Sequence, residues 1–288
     1  MKQTEEIGSK FPASSASQSR RYDIGPFSID PHRSAEFSGA VVKAALTSNT
    51  THLVVTANAQ FYVLAQSRPD YRSILQKAEF VCADGVSIAG ACKLLTGQHV
   101  DRIPGVDLIE TLCALGAPHG MRIFLFGGKP EAASDCVKIL SDRYAGICMV
   151  GSACPDYGFE KDPLMLQQLI EEIRESQPNI VFVGLGAPKQ EQFIEQYLRP
   201  IGVPVAIGVG GSFEMISGRV KRAPQWIRNA GLEWFYRLML EPARLWRRYL
   251  IGNCIFAVFV ASEAFKRVFA SMSRGIMRLW HESLRGAN

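Results

Sequence analysis

The chain has 288 residues and a mass of 31.8 kDa, with 47% hydrophobic and 20% charged residues. That suits one large α/β domain, with or without an appendage, and excludes a disordered or low-complexity protein. The formal charge of +5 hides an asymmetry: residues 219–288 hold 13 Lys/Arg against four acids, a net of +9, and the preceding 218 residues sum to −4.

The first 21 residues, "MKQTEEIGSKFPASSASQSRR", contain no apolar core of the kind a signal peptide needs. Residues 1–20 read as a mobile, Ser-rich tail ahead of an α/β catalytic domain spanning 21–218. Seven scattered cysteines without a CxxC pair argue for reduced, mostly structural thiols in a cytoplasmic setting.

Six apolar runs follow: "HLVVTA" (52–57), "AEFVCA" (78–83), "MRIFLFG" (121–127), "GICMVG" (146–151), "NIVFVGL" (179–185) and "VPVAIGV" (203–209). They do not alternate, as expected of strands buried on both faces of a parallel sheet. Stretches of helical length lie between most of them, at 105–117, 129–144 and 163–177. The βαβα order predicts a doubly wound, mostly parallel Rossmann-like sheet, whose ligands gather beyond the carboxyl ends of the strands.

Those strand ends are polar and rich in glycine. The first carries Thr56 and Asn58, the second Asp84 and Gly85, the fifth "GLGAPKQE" (184–191) and the sixth "GVGGSFE" (208–214), with Gly210 inside it. Asp84 alone reads first as a helix N-cap, with a general base as the functional reading. Several polar strand ends together favour a convergent cleft. Arg102, in "DRIPGVDL" (101–108), is either a solvated loop charge or a bidentate grip on phosphate. "GLGAPKQE" resembles a piece of the dinucleotide fingerprint, but Lys189 stands where its third glycine belongs, and no Walker loop occurs. What remains is a turn with backbone donors, a cation and an amide beside a carboxylate, suited to a pyrophosphate and a sugar.

The five histidines show no ligand spacing and no Asp-x-Asp pair exists, so neither a metal nor a cofactor is expected. Beyond residue 218 the sequence becomes helical, with Pro224 and Pro242 suited to first turns and arginines interleaved with aromatic residues. Its longest uncharged run, residues 249–262, has 14 residues, too short to span a bilayer. Residues 219–288 therefore read as a basic, amphipathic appendage on a membrane surface. Their tryptophan and apolar content favours lipid over nucleic acid.

Taken in order, Thr56-x-Asn58, "ADG" (83–85), "RIPGVDL" (102–108), "GLGAPKQE", "GVGGSFE", "GRVKRAP" (218–224) and "GLEWFYRLMLEPARLWRRY" (231–249) resemble the WecG/TagA/CpsF glycosyltransferase family (glycosyltransferase family 26) over roughly residues 50–250. The resemblance implies an inverting, metal-independent transfer from a UDP-sugar to a lipid-diphosphate-linked sugar at the cytoplasmic face of the inner membrane. It implies Asp84 as base and Thr56, Asn58 and Gln190 as substrate-pocket residues. Arg102 and the C-terminal arginines (Arg222, Arg237, Arg244, Arg248) would hold diphosphates. In that scheme the Gly184–Gly186 turn presents amides to the donor, Lys189 adds charge, Gln190 reads hydroxyls and Glu191 orients the lysine. Ser87 and Glu214 depart from the glycine and aspartate common at those places. Homo-oligomerisation stays open. The rival readings are a nucleotide-cofactor oxidoreductase and a non-catalytic membrane-surface protein of polysaccharide assembly.

Overall fold

A computed structural model describes residues 21–285; residues 1–20, assigned above to a tail, lie outside it. The described chain starts with a small antiparallel pair, β1 (Tyr22–Asp23) and β2 (Ser28–Ile29), which the sequence reading did not include. Two-residue strands carry no periodicity to detect. After α1 (Ser34–Thr47) come β3 (His52–Ala57), α2 (Ala59–Ser67), α3 (Pro69–Lys77), β4 (Phe80–Ala83), α4 (Val86–Thr96) and α5 (Gly105–Gly116). Then follow β5 (Arg122–Gly127), α6 (Ala132–Arg143), β6 (Cys148–Ala153), α7 (Pro163–Glu175) and β7 (Ile180–Gly184). The short α8 (Lys189–Phe193) widens into a π-turn at Ile194–Leu198 before β8 (Val205–Gly208) and α9 (Ser212–Ile216).

The six long strands form one parallel sheet in the order β4-β3-β8-β7-β5-β6. Its two faces carry separate cores. In β5, Phe124 and Phe126 point into the core with α2, α3, α4 and α7, while Ile123 and Leu125 join α1, α5, α6 and α9. All four are fully buried, which is why the strand reads as one apolar run. Each such side chain contributes about 1.5–3 kcal/mol.

Four of the cysteines (Cys82, Cys92, Cys113, Cys136) are free thiols inside these cores, whereas Cys148 and Cys254 are exposed. Burial pushes Cys92 up to about 11 and Cys113 and Cys136 up to about 12, so these thiols are inert packing groups.

The chain then wraps over the sheet's carboxyl rim through α10 (Gln225–Asn229), α11 (Glu233–Leu240) and α12 (Pro242–Trp246), a second wide turn at Arg247–Ile251, and the long α13 (Gly252–Arg285). Helix α13 docks on the body through Phe256 and Phe259, whose rings lie 5.3 and 4.3 Å from that of Tyr62. The 14-residue apolar run is only part of a longer stretch. Pro242–Arg267, 26 residues that contain an 18-residue window of mean hydropathy 1.3, is long and apolar enough by length and composition to cross a bilayer. Its inner face is committed to Tyr62, though, and only 11% of its apolar window is buried. A helix that packs along one side and is bare on the other suits an interface.

Candidate active site

Two cavities open side by side on the carboxyl rim of the sheet. One, of about 570 Å³, lies over the ends of β4, β3 and β8 and is roofed by α11 and α13. The other, of about 830 Å³, lies over β5, β6 and β7. The turn after β7 forms the wall between them.

Asp84 lies at the floor of the first cavity. Its Oδ2 accepts from Asn58 Nδ2 at 3.4 Å and its Oδ1 from the Gly105 amide at 3.3 Å. Both bonds are long, so the carboxylate is oriented but lightly held. Burial raises its pKa above the ordinary aspartate value, and Asn58, the Gly105 amide, Arg248 and Arg237 pull it partly back. A carboxylate of raised pKa that faces a cavity is equipped to take a proton. Asn58 also caps α2, accepting from the Gln60 amide at 3.1 Å, so it is a cap residue that also lines the cavity. Asp84 itself is not a helix cap, because Gly85 occupies that position for α4. Thr56 is buried and donates from Oγ1 to the Gly208 carbonyl at 2.8 Å, so it braces β3 against β8 at the cavity floor.

Arg102 reaches the cavity beside the end of β4, where the Ile103 amide donates to the Ala83 carbonyl at 2.7 Å. Its guanidinium lies 3.6 Å from Glu233. The same carboxylate holds Arg222 at 3.3 Å, and Arg222 also grips Asp107 through two bonds of 2.6 and 2.8 Å. Arg222 is thus consumed in pinning the appendage to α5, outside the cavity lining. Glu233 is the residue that joins the body arginine to the appendage, and "GLEW" was its only trace in the sequence.

Arg237 and Arg248 line the cavity, and neither side chain has a hydrogen-bond or ion-pair partner among the described residues. The Nε atoms of both are sealed from solvent and unpaired. Burial pushes the Arg248 pKa down, the mark of a cation withdrawn from water, while Tyr249, whose ring lies 5.6 Å away, and the charge of Asp84 pull it partly back up. Arg244 turns away and pairs with Glu241, its Nε 3.1 Å from Oε1. A straight helix would align positions 237, 244 and 248, spaced by seven and eleven residues. The break at Glu241–Pro242 and the wide turn after Trp246 shift the phase, so that only the outer two face inward.

The "GLGAPKQE" turn departs most from expectation. Gln190 is 2% exposed, and its Oε1 accepts from the Gly186 and Gly210 amides at 3.1 and 3.0 Å. Its Nε2 donates to Glu191 at 2.6 Å. The two glycine amides are therefore tied to Gln190, which clasps two loops together with its polar atoms already engaged. Gly208 makes that possible, since a Cβ there would stand 2.4 Å from Gln190 Nε2. Glu191 does not orient Lys189. It is fully buried, receives the Tyr71 hydroxyl at 3.1 Å, and is pushed by burial up to about 7. Lys189 lies on the other side of the turn, paired with Glu160 and 4.5 Å over the Tyr157 ring, in the second cavity. Gly184 lines the second cavity too, and is glycine because a Cβ would stand 2.9 Å from Phe213.

The first cavity thus gathers Thr56, Asn58, Asp84, Arg102, Gly186, Gln190, Gly210, Arg237 and Arg248. It leaves out Gly184, Lys189, Glu191, Arg222 and Arg244. Among the described residues no group of three His, Cys, Asp or Glu side chains is placed to hold a metal ion. What the arrangement offers chemically is one proton acceptor beside two unmatched cations.

The model of the "Glycosyl transferase WecG/TagA/CpsF family" matches residues 22–269. The chain is 35% identical over 205 residues to an N-acetylglucosaminyldiphosphoundecaprenol N-acetyl-β-D-mannosaminyltransferase of Bacillus spizizenii, covering 71% of this chain and 77% of that protein. It is also 35% identical over 198 residues to the enzyme of the same name from Bacillus subtilis, covering 69% and 75%. The matched region takes in the carboxyl rim, Asp84 and both inward arginines, and this chain belongs to the WecG/TagA/CpsF family of glycosyltransferases.

Proposed function

We propose that this enzyme moves a hexose, an N-acetylhexosamine or its uronate from a UDP-sugar to a polyprenyl-diphosphate-linked sugar, with inversion and without a metal ion. Bacterial surface or exopolysaccharide assembly is the setting, and the protein works as a peripheral protein on the cytoplasmic face of the inner membrane. The relatives' names make a diphosphate-linked N-acetylglucosamine the first acceptor to try and N-acetylmannosamine the first sugar. The observation that carries the reading is a raised-pKa carboxylate sharing one cavity with two unpartnered guanidinium groups.

In the reaction, Asp84 takes the proton of the acceptor hydroxyl as that oxygen attacks the anomeric carbon. The bond from that carbon to the UDP oxygen breaks on the opposite face, and its electron pair leaves with the UDP. Cations already fixed in place stabilise the charge that develops on a diphosphate more than they stabilise the ground state. A single displacement needs one carboxylate, and Glu191, sealed behind Gln190, is in no position to be a second. The membrane setting rests on the exposed apolar face of α13 and on the basic charge of residues 219–288.

The test is incubation with polyprenyl-diphosphate N-acetylglucosamine and a panel of UDP-sugars, with and without EDTA, followed by mass spectrometry. A product heavier by one sugar residue, formed equally in EDTA, is expected. No product with any donor would refute the transfer, and rescue by Mg²⁺ or Mn²⁺ would refute metal independence.

A further inference from the structure

The first cavity is not polar throughout. Its far wall runs between α4 and α13 and is lined by Val86, Gly90 and Leu94 on one side and Ala257, Val260 and Ala261 on the other. The α4 residues are spaced by four, which puts them on one helical face over roughly 12 Å, eight residues at 1.5 Å each. Leu94 is 62% exposed, so the slot opens to the outside at the end away from Asp84. Gly90 lies inside a helix with no positive φ and no neighbour within 4 Å of where its Cβ would be. A helix interior ordinarily disfavours glycine, and nothing in the fold demands it here. Its small size keeps the slot open.

Helix α13 carries three distinct faces at 100° per residue. Phe256 and Phe259 face Tyr62 on the body. Ala257, Val260 and Ala261 face the slot. Ile255, Val258 and Phe265 form an outer apolar face, the last two 70% and 71% exposed. The three faces are centred about 120° apart, so the slot face adjoins the outer one. An apolar path therefore leads from the arginines, along the slot, to the outer face of the helix.

Resting on the functional reading above, we propose that this slot seats the first isoprene units of the lipid acceptor, next to its diphosphate. The two features fit one amphiphile. Arg248, in the turn that leads into α13, meets the acceptor's diphosphate and leaves Arg237, beside the loop after β8, for the UDP. An apolar channel beginning beside Arg248 receives the hydrocarbon attached to that diphosphate. The slot then fixes which way the acceptor enters, placing its sugar over Asp84 and its chain toward the lipid-facing side of α13.

The probe is farnesyl diphosphate, measured against inorganic pyrophosphate by calorimetry with the full chain. Farnesyl diphosphate is expected to bind tighter by about tenfold or more, the gain of burying two or so methylene-sized groups. Gly90→Phe fills the slot from α4 and Ala257→Phe fills it from the exposed side of α13, so one variant decides if the other misfolds. Each is expected to bring farnesyl diphosphate down to the pyrophosphate level and to leave pyrophosphate binding as it was. Equal affinity for the two probes in the unmodified protein, or a preference that survives both substitutions, overturns the proposal. So does a parallel loss of pyrophosphate binding in both variants. A transfer assay that fails with every UDP-sugar refutes the functional reading but not a measured chain preference. Normal transfer without a chain preference refutes the slot alone.

Discussion

Arginines in the α/β body find carboxylates. Arg199 meets Glu79 at 3.0 Å and Glu195 at 2.7 Å, and Arg21 meets Asp30 at 2.7 Å. In the helices after Gly231, among the described residues, only the outward Arg244 meets a carboxylate, Glu241. Arg237 and Arg248 meet none, while Met239, Val258 and Phe265 stand 65–71% exposed. The body pairs these arginines within the chain. The appendage leaves Arg237 and Arg248 without an ionic partner and an apolar face bare, and the function proposed above would supply both, a bound anion and an apolar phase.

The strongest way to break this comparison is to separate the two regions. Truncation after Val220 is expected to abolish transfer while the remaining chain keeps its α/β circular dichroism and a cooperative melt; an active truncate would show that the appendage arginines are dispensable. Next in size, Asp84→Asn should lower kcat by ~2–4 orders of magnitude, the range for loss of a general base, with UDP binding retained in calorimetry. In the unmodified enzyme kcat/KM should fall on acidification with an apparent pKa above that of an ordinary aspartate, because burial favours the protonated Asp84. Arg248→Ala should cost about 10–100-fold in kcat/KM, the worth of one charge-assisted contact.

Glu191 tests the body's side of the comparison. Its pKa is raised from 4.5 to about 7 in the fold, so the native state holds a proton that the unfolded chain releases. Its contribution to stability is full below pH 4.5, declines as pH rises from 4.5 through 7, and is flat above. Chemical denaturation across that window should show a fall of no more than about 3 kcal/mol, which Glu191→Gln removes. Smallest of all, Arg244→Ala breaks only an exposed pair with Glu241 and should change kcat/KM by less than about fivefold. A large loss there would mean that the appendage turns on binding to bring Arg244 inward.

The sheet was legible because both its faces are covered, which leaves each strand apolar from end to end. The polar strand ends were legible as a set, since Thr56, Asn58, Asp84, Arg102, Gly186, Gln190 and Gly210 all reach one cavity. Helical phase was not legible. A rotation of about 100°, one residue's worth, decides that Gln190 and Glu191 go inward while Lys189 and Gln192 face the second cavity, and no residue type in "KQEQ" announces it. The same ignorance of phase put Arg244 beside Arg237 and Arg248. Glu233 was missed for another reason: an acid inside a basic stretch reads as charge balance until its two arginine partners, from separate elements, are seen together.

The distribution of thiols also has a practical use. With four sulfhydryls locked in the cores, a maleimide dye should label chiefly Cys148, at the start of an edge strand, and Cys254, near the start of α13. Removing Cys148 and the half-buried Cys154 would leave a single solvatochromic reporter on the helix that is meant to meet lipid. Its colour would register immersion in a vesicle directly, with no tag or new attachment point added to the protein.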